Sequence, residues 1–254
     1  MQVALLGKQL LFSLTVISLM FFLNISAGYA DDDRSDHSSS KISKVHGFDI
    51  SHFNGDVSWP TVKDSRNHFV VLKATEGVDW VDPTFKSHWI ESKRAGLIRG
   101  AYHFFVAHDD PVEEARWYIE NVTLEPGDLP PIVDVERADK KEMATLADNL
   151  SLFVSTIEEH FGVKPIIYTG PNFWSSFIKK PFPEHHLWIA DYGVDQPILP
   201  KGWKRWTFWQ YSQEGALKGV EKPVDFNTFA GSLEELKALL MTEKQDSQPE
   251  KSPS

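Results

Sequence analysis

The chain has 254 residues and a formal net charge of −10, with 41% hydrophobic and 13% aromatic side chains and no cysteine. This length and apolar content suffice for one sizeable core, while the lack of thiols excludes disulfide-stapled scaffolds, thiol nucleophiles and cysteine-ligated metals. So acidic a chain has no electrostatic footprint for nucleic acid or anionic lipid, so a polymeric partner must be held by local polar and aromatic contacts.

Residues 1–30 carry one cation, Lys8, an apolar run from Leu10 to Leu23, and small residues at Gly28 and Ala30. The pattern predicts a secretory signal peptide cut after Ala30; the competing reading is an uncleaved N-terminal anchor. Cleavage implies export to the periplasm or the medium with no membrane contact afterwards, and loss of Lys8 takes the charge to −11. No cysteine follows the cut, which excludes a lipid-anchored lipoprotein. Residues 31–44, DDDRSDHSSSKISK, form a polar leader predicted to be flexible, and 242–254, TEKQDSQPEKSPS, a disordered polar tail. Between them, 45–241 reads as one continuous domain without an internal repeat.

Strand-like runs follow in order at VHGFDI (45–50), HFVVLKA (68–74), LIRGAYHFF (97–105), PIVDVE (131–136), KPIIYT (164–169), HLWIA (186–190) and RWTFWQYS (205–212). Helices fall between the earlier ones. Asp82-Pro83 and Asp110-Pro111 each read as an N-cap followed by proline at the first helical position. Met143, Leu146, Leu150, Phe153, Ile157 and Phe161 recur at helical spacing and predict a helix over 140–160, stopped by Gly162. Ser232 and Glu235 make a capping box for a last helix with Leu233, Leu236 and Leu240 on its apolar face. The alternation predicts an α/β domain with a mostly parallel sheet, open or closed into a barrel; in a barrel the site lies at the carboxyl ends of the strands.

Asp134 and Glu136 stand two apart in the run PIVDVE, so they share one side while Val133 and Val135 face the other. A solvated strand end with Glu136 paired to Arg137 would account for them alone. Asp49, Glu76 and Asp225, however, also follow or end apolar runs. Aromatic residues gather at the same positions: Tyr102, Tyr168, Trp188, Tyr192, Trp206 and Trp209. Some of these rings must be core, yet acids and flat rings lining one pocket suit a sugar, because rings stack on pyranose faces while carboxylates take hydroxyls and transfer protons.

These residues give the chain a resemblance to the glycoside hydrolase family 25 lysozymes, the Chalaropsis-type N-acetylmuramidases. The family's first signature is matched by Asp49-Ile50-Ser51-His52-Phe53-Asn54-Gly55, and its second by Lys73-Ala74-Thr75-Glu76-Gly77 with Trp80 and Asp82 downstream. Its later elements are matched by Tyr102-His103-Phe104, Asp134-Val135-Glu136, Trp188-Ile189-Ala190, Trp209-Gln210-Tyr211 and Asp225-Phe226-Asn227. Trp80 departs from the pattern, standing where a smaller aromatic or leucine is more usual.

The resemblance spans nearly all of 46–241. It implies a single-domain, irregular, flattened TIM-like (β/α)5(β)3 barrel. It also implies hydrolysis of the β-1,4 bond between N-acetylmuramic acid and N-acetylglucosamine with retention of configuration. The implied partner is a peptidoglycan glycan strand, and the protein a monomer needing neither cofactor nor metal. Carried over by match, Glu136 is the general acid and base, and Asp134 either the nucleophile or the group that orients the substrate acetamide. Asp49 and Asp225 hold the sugar and stabilise positive charge. Glu76, Tyr102, Tyr168, Trp188, Asp191, Trp209 and Gln210 bind substrate. Two other readings compete: a metal hydrolase, disfavoured by the absence of H-E-x-x-H, and a non-catalytic wall- or glycan-binding protein on the same fold.

Overall fold

The computed structural model describes residues 44–243. The expected signal peptide, leader and tail fall outside them, apart from Lys44, Thr242 and Glu243.

The chain begins with strand β1 (Val45–Ile50), then helix α1 (Trp59–Lys63), β2 (Phe69–Glu76), a short β3 (Trp80–Val81) and α2 (Phe85–Arg94). Next come β4 (Ile98–Phe104), α3 (Pro111–Asn121), β5 (Ile132–Asp134) and α4 (Leu146–Phe161). They are followed by β6 (Ile166–Thr169), α5 (Pro171–Phe173) running into a π-helical turn (Trp174–Ile178), β7 (Leu187–Ala190), β8 (Phe208–Gly215), β9 (Val224–Phe229) and α6 (Leu233–Ala238).

Parallel pairing runs β1–β2–β4–β5–β6–β7–β8, and β9 closes the ring antiparallel to both β8 and β1. The result is a closed eight-stranded barrel, with β3 an antiparallel flap on β2. The first five barrel strands are each followed by a helix, β7 and β8 are not, and β9 leads into the terminal α6, the irregular barrel implied by the resemblance.

Strand alternation sorts the core into two layers. Val45, Phe69, Val71, Ile132, Ile166 and Phe208 fill the barrel interior, and Phe48, Val70, Leu72, Val133 and Ile167, of the opposite parity in their strands, face outward against the helices. Gly47 is required by the tight interior: a Cβ there would sit 2.5 Å from the Phe69 ring.

Local signals act as expected at several helix ends. Asp110 accepts the Val112 and Glu113 N–H groups with Pro111 at the first helical position, Ser232 and Glu235 complete their capping box, and Gly162 ends α4 at φ 74°. Elsewhere the structure corrects the sequence. Asp82 caps no helix: its carboxylate accepts the Thr84 N–H and hydroxyl and both the backbone N–H and Nδ1 of His52, so α2 starts only at Phe85.

Helix α4 starts at Leu146, not Lys140, because the Glu142 carboxylate takes the Asp139 N–H and ties 139–145 into turns. Strand β5 ends at Asp134, since the Thr169 hydroxyl takes the Val135 carbonyl that a ladder N–H would otherwise meet. Glu136 therefore lies just beyond the strand. Asp225 does not follow the last strand but sits second in β9, which the sequence reading does not anticipate.

At the amino-terminal end of the barrel, Arg99 is buried and forked onto Asp128 at 2.7 and 3.1 Å. It also donates to Glu125 and to the Trp89 carbonyl and stacks 3.9 Å from the Trp89 ring centre. A fully satisfied bidentate pair of this kind is an anchor for the end opposite the site.

Candidate active site

Inward-facing positions at the carboxyl ends of the strands bring the predicted acids together. Asp49 (β1), Asp134 (β5), Glu136 just after it and Asp225 (β9) line one pit of about 90 Å³, with Tyr102, Tyr168, Trp188 and Gln210. Asp225 reaches this end because β9 runs against its neighbours, which places its first residues beside the last residues of β1. Asp49 and Asp225 are direct partners in that register.

Gln210 organises the pit. Its Oε1 accepts the hydroxyls of Tyr168, at 2.9 Å, and Tyr192, which fixes the amide so that Nε2 donates to Asp49 Oδ2 at 2.8 Å. Asn227 supplies the second donor to the same oxygen at 2.7 Å, and its own Oδ1 accepts the Trp188 indole N–H at 2.8 Å. Burial raises the Asp49 pKa well above the ordinary range, the charge of Asp225 adds to this, and the two amides oppose it. Asp225 is pushed up to about 6 by burial, with a hydrogen bond from Asp49 pulling the other way. Both carboxyls of the pair are therefore harder to ionise than a free aspartate, Asp49 the more deeply buried of the two.

Asp134 is buried, and its Oδ1 has no partner among the described residues. Burial and then the Glu136 charge raise its pKa well above normal, while Lys73 and Arg137 counter. Glu136 is half-buried and also raised by burial, with Arg137 and then Lys73 opposing. Two neighbouring carboxylates that resist sharing full charge are the electrostatic setting of an acid held protonated.

Beyond the pit lies a wider groove of about 540 Å³, walled by the segments after β4, β5 and β6. Phe104, Phe173 and Phe177 give it an aromatic surface, the last two stacked at 4.9 Å, and Arg137 lies on its rim. Glu136 is the residue that the pit and the groove share. The loop after β4 is braced from beneath: Glu114 accepts the Val106 N–H at 2.8 Å and meets His103 Nε2 at 2.9 Å, and His103 Nδ1 meets the Thr75 hydroxyl. Burial raises Glu114 to about 9 and lowers His103 to about 3, so this is a neutral acid hydrogen-bonded to a neutral imidazole, not an ion pair.

Other predicted residues lie off the pit. Glu76 lines the groove and is paired to Lys73 at 2.6 Å. Trp209 is on the opposite face of β8 from Gln210 and donates its indole N–H to the Asp191 carbonyl. Asp191 accepts the Ile198 N–H and braces its own loop. The predicted site residues do not include Lys73, an interior cation on β2, or Asn227, although both stand in the matched motifs Lys73-Ala74-Thr75-Glu76-Gly77 and Asp225-Phe226-Asn227.

The profile of Glycosyl hydrolases family 25 matches residues 48–220. The chain belongs to glycosyl hydrolase family 25. It is 36% identical over 201 residues to the uncharacterized protein YegX of Escherichia coli K12, covering 77% of this chain and 73% of that one. It is 31% identical over 215 residues to Lysozyme M1 of Streptomyces globisporus, covering 78% and 71%. Among solved structures, a bacterial lysozyme from Streptomyces coelicolor superposes with a TM-score of 0.71 at 31% identity, covering 78% of this chain and 97% of that one. The family 25 glycosyl hydrolase from Bacillus anthracis gives 0.70 at 31% identity, covering 78% and 94%. The family 25 barrel thus accounts for the closed sheet, and its glycoside hydrolase chemistry for a pit lined by acids.

Proposed function

We propose that this family 25 enzyme hydrolyses peptidoglycan as a muramidase, cutting the β-1,4 bond between N-acetylmuramic acid and N-acetylglucosamine with retention of configuration. The observation that carries the reading is the position of Glu136 between pit and groove: an acid there can protonate the oxygen linking a sugar at the pit to one in the groove. Burial keeps its proton available, and after the leaving group departs the same carboxylate activates water. Asp134 beside it serves the anomeric carbon, either as nucleophile or by accepting the N–H of the substrate acetamide through its unpartnered oxygen. Asp225, charged above pH about 6, stabilises developing positive charge, and Asp49 holds it in place. Named lysozymes among the relatives support the substrate class, and the apolar segment at 10–23 supports action outside the cytoplasm.

The test is release of reducing ends from purified peptidoglycan, with mass spectrometry of the products. Wild type should leave muramic acid at the new reducing end and Glu136→Gln should release almost none. Equal release by the two proteins, or glucosamine at the new end, refutes the reading.

A further inference from the structure

Phe53 is 69% exposed yet belongs to a rigid turn. Ser51 and Asn54 cap that turn reciprocally, and Asn54 Nδ2 donates to the Pro223 carbonyl. Asp56 N–H donates to Glu221, and the backbone N–H groups of Glu221 and Lys222 return to Asp56 and Asn54. An isolated exposed apolar residue needs no explanation, but this one begins a continuous row. Its ring meets His52 at 3.9 Å, and His52, fixed by Asp82, meets Trp80 at 5.3 Å. The Lys73 ammonium then lies 4.9 Å from the Trp80 ring and 4.9 Å from Phe104, which lines the groove beside Glu136. Trp80 is also the residue by which this sequence departs from the family pattern.

We propose that Phe53, His52 and Trp80 form a stacking platform for a pyranose ring, an added subsite that holds the glycan strand away from the bond being cut; this rests on the glycan-hydrolase reading above. Flat rings held rigid lose little entropy on binding, and their faces match the C–H face of a pyranose. The unbroken run of contacts into the groove makes a glycan strand, not an unrelated apolar ligand, the occupant.

Binding is measured by calorimetry in a Glu136→Gln background, using peptide-free glycan strands of four and eight sugars. The preference for the octasaccharide over the tetrasaccharide should shrink about five- to tenfold in Phe53→Ala, and return in Phe53→Trp. An unchanged preference overturns the platform. So does Phe53-dependent binding of free stem peptide in place of glycan. If the length preference depends on Phe53 while wild type releases no reducing ends, the platform stands and the hydrolase reading falls.

Discussion

Asp49 and Asp225 face one another at a single register position between β1 and β9, and burial raises the pKa of both. Asp49, buried and beside the charge of Asp225, is raised well above the ordinary range, so the folded state binds its proton in a range where the unfolded chain has released it. Stability therefore falls as pH rises above the unfolded value near 4. Asp49→Asn copies the protonated form and removes that slope. Thermal melts from pH 4 to 8 should show a flatter profile and a higher Tm than wild type at neutral pH, while turnover drops by about tenfold or more.

The alkaline limb of activity should follow Glu136, whose proton is needed for leaving-group departure. Arg137 is the main opponent of its raised pKa. Arg137→Gln removes a cation, makes the carboxylate harder to ionise and moves the alkaline limb of kcat/KM to higher pH. A limb that stays in place or moves down argues that another group sets it.

Gln210→Leu strips the buried Tyr168 hydroxyl and the more exposed Tyr192 hydroxyl of their acceptor, and the buried Asp49 of a donor. The expected cost is about 3 kcal/mol, or about 10 °C in Tm, read by calorimetry. Activity should fall as well, because Tyr168 and Asp49 both line the pit.

Glu114 and His103 bear on stability in opposite directions. His103, lowered to about 3, destabilises the fold as pH falls from about 6.5 towards 3, because the unfolded imidazole takes a proton that the folded one refuses. Glu114, raised to about 9, destabilises it as pH rises from about 4.5 towards 9. Glu114→Gln, with its amide oxygen in the place of Oε2, can still accept both the Val106 N–H and the Nε2–H of His103. Chemical denaturation should show that it retains stability at pH 8–9 where wild type loses it, with little difference near pH 5.

Arg99→Ala leaves Asp128 buried without its cation and should cost about 3–5 kcal/mol. The anchor lies at the far end of the barrel, so kcat/KM of the folded variant at low temperature should remain within about twofold of wild type.

Most of the barrel was legible because its strands are apolar runs separated by helices with strong caps, as at Asp110 and Ser232. Strand β9 was not, since its alternation is inverted: Val224 and Phe226 pack in the outer layer while the polar Asp225 and Asn227 face the interior, so the run reads as a polar segment. Asp82-Pro83 has the local chemistry of a helix cap, but His52, thirty residues earlier, competes for the same carboxylate. The pairing of Asp134 with Glu136 was readable from period two even though β5 ends between them. The same parity would have excluded Trp209: one position from Gln210, it must face the other way. Lys73 opens the matched motif Lys73-Ala74-Thr75-Glu76-Gly77, yet nothing local marks it as an interior cation and not a surface one.

The reversed direction of β9 has a further effect on the architecture. Because β8 and β9 run antiparallel, their connection turns back at the mouth of the barrel, where a helical crossover would have returned the chain to the far end. That hairpin is the segment to which the Phe53 turn and the residues just after it are stitched, through Pro223, Lys222 and Glu221. Lengthening or shortening it would reshape the cleft rim and carry Phe53 with it while leaving the barrel strands in register, making this tip a natural insertion point for altering how long a strand the enzyme grips.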